Sequence, residues 1–185
     1  MARWHLSFDE DRHTQAISVC KKADLNPYSG LNLSDHFVQA YEKRASKIQN
    51  FESSTVEGWI CSAGSIVYKG TLGRPALQSV YRDFLESGIE EVRSNAIGHY
   101  ALAIRHGDTI TAFTDPQGAF SLYYVDASTP VILSNSLHVV ATNLSERSID
   151  PVRLMSASLH GSIPGRKTFY KGINRLNGTE KIRIS

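Results

Sequence analysis

The side chains best suited to chemistry are Cys20, Cys61 and seven histidines, at 5, 13, 36, 99, 106, 138 and 160. A thiolate is a strong nucleophile, but both cysteines lie in apolar segments, where a thiol packs and keeps its proton. The histidines show no H-x-x-x-H or paired-cysteine spacing, so no metal and no other cofactor is expected. Gly161-Ser-Ile-Pro-Gly-Arg-Lys-Thr168 can be set against the phosphate-cradling G-x-x-x-x-G-K-[ST]. It is one residue short, Arg166 intrudes, and Phe169-Tyr170 does not open a helix, so it reads as a surface loop. Asp115, in Thr114-Asp-Pro-Gln-Gly118, reads as a turn-stabilising aspartate, with a ligand or partner contact as the alternative. Ser134-Asn135-Ser136 reads as a strand end that caps the next helix, with an interaction role as its alternative.

The elements that must position these residues centre on 97–136, which reads as a meander of three or four antiparallel strands. Tyr100, Leu102 and Ile104 alternate with Ala101, Ala103 and Arg105. His106-Gly107-Asp108 turns the chain into a strand over 109–114, and Asp115-Pro-Gln-Gly118 turns it into another over 120–125. A last strand, 131–133, ends at Ser134. Upstream, Trp4, Leu6 and Phe8 share one side of a first strand. Residues 9–12 read as a turn, and 14–23 as a helix with Ile17 and Cys20 inward. Residues 26–33 read as a loop by composition. Ser34-Asp35 is expected to cap a helix through Ile48, with Phe37, Val38, Tyr41 and Ala45 on its apolar stripe. Two strands follow, at 57–62 and 64–69. A core-facing helix then runs from Pro75 to Glu86, with Leu77, Val80, Tyr81 and Phe84 at helical spacing. Short helices are expected at 136–142 and at 151–160, the second capped by Asp150. Asn177-Gly178 reads as a hairpin-type turn before a strand at 181–185. Strands with a few helices outside them suggest a single α+β sandwich domain spanning 1–185.

Composition sets the class. The 185 residues are 41% hydrophobic and 21% charged, with 20 basic and 18 acidic side chains scattered along the chain. That is ordinary for a soluble globular protein, with no basic patch for nucleic acid and no membrane-spanning or secretory run. A reduced, cytoplasmic setting is expected.

Three stretches occur in order: Gly98-His-Tyr-Ala-Leu-Ala-Ile104, Thr114-Asp-Pro-Gln-Gly-Ala-Phe-Ser-Leu-Tyr-Tyr124 and Ile132-Leu-Ser-Asn-Ser-Leu137. Ile149-Asp-Pro-Val-Arg-Leu154, Gly161-Ser-Ile-Pro-Gly165 and Thr168-Phe-Tyr-Lys-Gly-Ile-Asn-Arg-Leu-Asn-Gly178 continue the series. The set, covering 56–185, resembles the class II glutamine amidotransferase (glutaminase) domain of the asparagine synthetase family. The resemblance implies a four-layer αββα sandwich of two antiparallel sheets, as in N-terminal-nucleophile hydrolases. It also implies that glutamine would be hydrolysed by a cysteine at the mature N-terminus, with the free α-amine as base. Ala2 stands there, and a methyl group cannot attack an amide. The family's N-G-E triplet, which orients the amide and donates to the oxyanion, corresponds to Ala63-Gly64-Ser65. The aspartate that grips the substrate amine corresponds to Gly73, and the arginine for its carboxylate finds no match at Arg44 or its neighbours.

Ala2, Ala63, Gly64, Ser65 and Gly73 therefore read as a vestigial pocket with no catalytic residue. Asp115, Gly118, Ser134, Asn135 and Ser136 are candidates for an interface. The family's S-G-G-x-D-S nucleotide loop is absent, and the chain ends where the ATP-using domain would begin. The resemblance thus implies a catalytically inactive domain supporting or regulating an ATP-dependent synthetase partner domain or subunit. Relatives with a silent first domain, such as β-lactam synthetases and lasso-peptide cyclases, make amide bonds without glutamine. Two alternatives stay open: an active amidotransferase or amidase with a displaced nucleophile, and a module that binds an amino acid or metabolite. A homodimer is also open.

Overall fold

The computed structural model describes residues 3–42, 51–55, 58–125 and 132–185. Its strands are β1 (Arg3–Ser7), β2 (Asn26–Asn32), β3 (Phe37–Glu42), β4 (Phe51–Thr55), β5 (Gly58–Gly64), β6 (Val67–Tyr68), β7 (Thr71–Leu72), β8 (Ala96–Ile97), β9 (Tyr100–His106), β10 (Thr109–Thr114), β11 (Tyr123–Val125), β12 (Ile132–Ser134), β13 (Ile173–Arg175) and β14 (Lys181–Ile184). The helices are α1 (Glu10–Lys22), α2 (Arg74–Ser87), α3 (Ile89–Asn95), α4 (Leu137–Thr142) and α5 (Pro151–His160).

Two antiparallel sheets face each other. One has the order β13-β11-β12-β1-β3-β2, the other β14-β10-β9-β5-β4, and a small sheet β7-β6-β8 stands beside them. Side-chain alternation along the strands divides the core into layers. Trp4, Leu6, Val38 and Ala40 of the first sheet meet Trp59, Cys61, Ala63, Ala101, Ala103 and Ala112 of the second. Ile60, Tyr100, Leu102, Ile104 and Phe113 point the other way, against Leu77 and Val80 of α2 and Val92 of α3. On the far side, Ala16 and Cys20 of α1 and Val139 and Val140 of α4 cover Tyr41 and Ile132. The fold is an αββα sandwich.

The alternation along β9 is as expected, and both its faces are covered. The single meander is corrected. β9 and β10 pair in the five-stranded sheet, whereas β11 and β12 pair in the other, so the chain changes sheets at the Asp115 turn. It changes back at Asn177-Gly178, where the Glu180 amide donates to the Asn177 carbonyl but the flanking strands β13 and β14 lie in different sheets. The two crossings touch: a Cβ on Gly118, at φ +62°, would sit 2.9 Å from the Gly178 nitrogen. The strand expected at 120–125 is confined to Tyr123–Val125.

The helix expected after Ser34-Asp35 is instead β3, and the loop at 26–33 contains β2, an edge strand with a bulge between Pro27 and Ser29. β3 lies between β1 and β2 with both faces covered, so apolar residues fall on both sides and imitate helical spacing. Val38 and Ala40 face the inter-sheet core, while the Phe37 ring stacks on His13 at 4.9 Å. The rest of that expected helix, from residue 43, lies outside the described residues. α1 begins at Glu10, where a turn was expected, because the Asp9 side chain accepts from the Arg12 amide and caps it. α5 runs as expected, with Asp150 accepting from the Val152 and Arg153 amides. Among the described residues no helix is long and apolar enough to cross a membrane.

Candidate functional site

One end of the sandwich gathers most of the residues singled out above. The Trp4 amide donates to Asn135 Oδ1 at 3.0 Å, and Ser134 Oγ donates to the Trp4 carbonyl at 2.8 Å. Arg3 Nη1 donates to Ser136 Oγ at 3.4 Å. The start of β1 is thus fastened to the end of β12 by side chains, beyond the ladder in which His5 opposes Ser134. Ser136 is the N-cap residue of α4 but makes no side-chain cap bond. In the facing sheet, Ala63 pairs with Ala101 and Gly64 with Tyr100 on the neighbouring strand, at the end of β5. The Trp4 indole Nε1–H reaches over to donate to the Ala101 carbonyl at 3.3 Å.

The space beside Ala63 and Gly64 is filled. Trp4, at 0% exposure, and Phe120, at 9%, pack in the same core layer as Ala63 and Ala101. A Cβ on Gly64 would stand 3.0 Å from the Phe120 ring and collide with the His99 carbonyl. Gly64 also holds φ +89°, which L side chains rarely adopt. Gly64→Ala is therefore expected to lower Tm by roughly 5–10 °C in a thermal melt. Gly107→Ala is the control, at φ +55° with no atom near its Cβ position, and its drop should be clearly smaller.

Asp115 organises the sheet crossing. Fully buried, its carboxylate accepts from the amides of Phe120 at 2.9 Å, Ala119 at 3.1 Å and Tyr100 at 3.4 Å. Its own backbone bonds Tyr100 and Gly118. Ser134 and Ser136 are buried and Asn135 half-buried, so these side chains serve β1 and its neighbours internally. Gly118 is half-buried in the turn. Ser65 is exposed, its amide donating to the His99 carbonyl. Gly73, at φ +65°, stands at the N-cap of α2 and makes no side-chain cap bond. Ala2 and Arg44 lie outside the described residues.

Of the two thiols, Cys20 lies behind the start of β1, beside Tyr41, which opposes Arg3, and Cys61 lies further along the sandwich. Cys20 is on α1 in the outer layer, where burial pushes its thiol up to about 11 despite the opposing hydrogen bond with Tyr41. Cys61 lies in the middle of β5, facing the inter-sheet core, and burial raises it well above its ordinary value. Neither is poised as a thiolate at neutral pH.

Sequence reasoning missed two histidine clusters. His5 Nε2 lies 2.9 Å from His13 Nδ1, and the Tyr41 hydroxyl 3.1 Å from His5 Nδ1. His5 is completely buried, and desolvation, helped by His13, lowers its pKa to about 3. His36 accepts from the Trp59 indole at Nε2, 3.2 Å away, while its Nδ1 faces Asp35 at 2.9 Å. An aspartate–histidine pair whose outer nitrogen is taken by an indole cannot activate a nucleophile. The only signal for the first cluster was period-two alternation, which puts His5 opposite to Trp4 and Leu6; His36, between β2 and β3, carried none. Among the described residues no three His, Cys, Asp or Glu side chains are placed to hold a metal ion.

No family model matches the chain, and no curated protein matches it. Among solved structures it is similar to the glutamine phosphoribosylpyrophosphate amidotransferase of B. subtilis complexed with ADP and GMP. The match has 10% identity and a TM-score of 0.47, covering 100% of this chain and 49% of that one. The chain thus spans about half the length of that enzyme. The αββα architecture rests on the layers described above, not on this likeness.

Proposed function

We propose that this is a glutaminase-like domain that no longer hydrolyses glutamine and that supports or regulates an ATP-dependent, amide-forming synthetase domain or subunit. The observation that carries this reading is the filled end of the sandwich. Where the resemblance would put a glutamine pocket, Trp4 and Phe120 pack against Ala63 and Gly64. Ala63 lacks the amide of the family's triplet, Ser65 lacks its carboxylate, and Gly73 cannot anchor an amine. The scaffold around them is intact: the Asp115 turn, the Ser134–Trp4 bond and the Asp150 cap all make their hydrogen bonds.

Helix α5 favours a partner. None of its residues is buried, and Val152, Met155 and Leu159, at helical spacing, are 69%, 58% and 71% exposed. An apolar stripe of this kind on a capped helix suits coverage by another domain. A cytoplasmic setting agrees with two free, buried thiols.

The test is incubation of the purified chain with glutamine. Glutamate release no faster than the protein-free blank is expected. Steady release that disappears in Cys20→Ala or Cys61→Ala would overturn the proposal and establish a displaced nucleophile.

A further inference from the structure

We propose that a groove on the helix-covered face of the five-stranded sheet binds an organic anion with an apolar body. The groove encloses about 340 Å³, within the range of small-molecule sites. Phe84 and Leu85, in the last turns of α2, and Ile89, at the start of α3, form one wall. Leu85 is 41% exposed there. The other wall is sheet: Thr111 of β10 with Lys181 and Arg183 of β14.

Register explains why these three act together. Arg183 opposes Thr111 and Lys181 opposes Phe113, so strand alternation sends both cations and the hydroxyl to the same face. No carboxylate lines the groove. Arg93, Arg105, Arg153 and Arg166 each pair with an aspartate or glutamate. The Lys181 and Arg183 side chains have no such partner among the described residues. Two like charges two residues apart beside a hydroxyl and an apolar wall fit a negative head and a hydrophobic tail. The groove lies on the helix-covered face of the five-stranded sheet, whereas Trp4 and Phe120 pack beside Ala63 and Gly64 on the face toward the other sheet. The groove is therefore separate from the filled end of the sandwich.

The test is an amide-resolved NMR titration of the full chain with 4-phenylbutyrate and with phenyl phosphate. The neutral 4-phenylbutanamide, acetate and inorganic phosphate serve as comparisons. At least one amphipathic anion should shift residues 109–113 and 181–184 and bind tenfold or more tightly than the neutral amide or either head group alone. The tighter of the two anions identifies the head as carboxylate or phosphate. Lys181→Ala with Arg183→Ala, at exposed positions, should weaken that binding at least tenfold and leave distant amides in place. Arg183→Gln alone, expected to weaken it by a smaller factor, serves if the double variant does not fold. The proposal is overturned if neither anion shifts those strands, if the amide binds equally well, or if the folded variant keeps the parent affinity.

Discussion

Asp115→Ala should be among the most destabilising single substitutions in the chain, lowering the unfolding free energy by on the order of 4 kcal/mol. The carboxylate is 0% exposed and receives the amides of Phe120, Ala119 and, more distantly, Tyr100. An alanine leaves these donors without a partner inside the sandwich, and each buried orphan costs about 1–3 kcal/mol. The turn they hold carries the chain from β10 in one sheet to β11 in the other, so its loss loosens the link between the sheets. Total stabilities of domains are about 5–15 kcal/mol, so the variant should be at the edge of folding. Asp115→Asn keeps an acceptor oxygen and should lose clearly less. Urea unfolding of the three proteins checks this; a loss below about 1 kcal/mol for Asp115→Ala would show that the turn is held by other contacts.

Acid should unfold the protein progressively below about pH 6.5. His5 is buried with His13 and Tyr41 around it, and its pKa in the fold is lowered to about 3 from an ordinary 6.5. Burial also lowers His13, partly opposed by Glu10, and His36, partly opposed by Asp35. A depressed histidine pKa means that the unfolded chain takes up a proton that the native chain refuses. The stability is therefore fully present above pH 6.5 and is lost as the pH falls from there toward 3. Each such histidine steepens the loss by up to about 1.4 kcal/mol per pH unit. Urea midpoints at pH 7.5 and 5.0 should differ strongly in the parent and less in His5→Asn, which cannot be protonated at that position. Equal pH dependence in the two proteins would remove His5 from the explanation.

Parts of the fold were legible because one physical signal dominated locally. β9 alternates with large residues toward the helices and alanines toward the other sheet, which needs small side chains where the sheets approach. α5 carries its cap, Asp150, and its initiating Pro151 in sequence. β3 was misread because a strand covered on both faces has no polar side, so Phe37, Val38 and Tyr41 fell into a helical spacing. The seven-residue α3 was missed because only Ile89 and Val92 turn inward. Turns were visible at Asp115 and Asn177-Gly178, but local turn chemistry does not say which sheet the next strand joins. At the candidate site, the residue types at Ala63, Ser65 and Gly73 could be read directly. The packing around Gly64 could not, since Trp4 and Phe120 are distant in sequence and come together only in the folded sandwich.

The most direct measurement exposes the folded chain to a diazoketone analogue of glutamine, which alkylates a side chain or terminal group able to attack the glutamine amide, and then records the intact mass. If the proposed reading holds and the packing of Trp4 and Phe120 beside Gly64 leaves no glutamine site, the chain should keep its unmodified mass after prolonged exposure. A stoichiometric adduct, mapped to either cysteine or to the first residues of the chain, would mean that a working glutamine site exists.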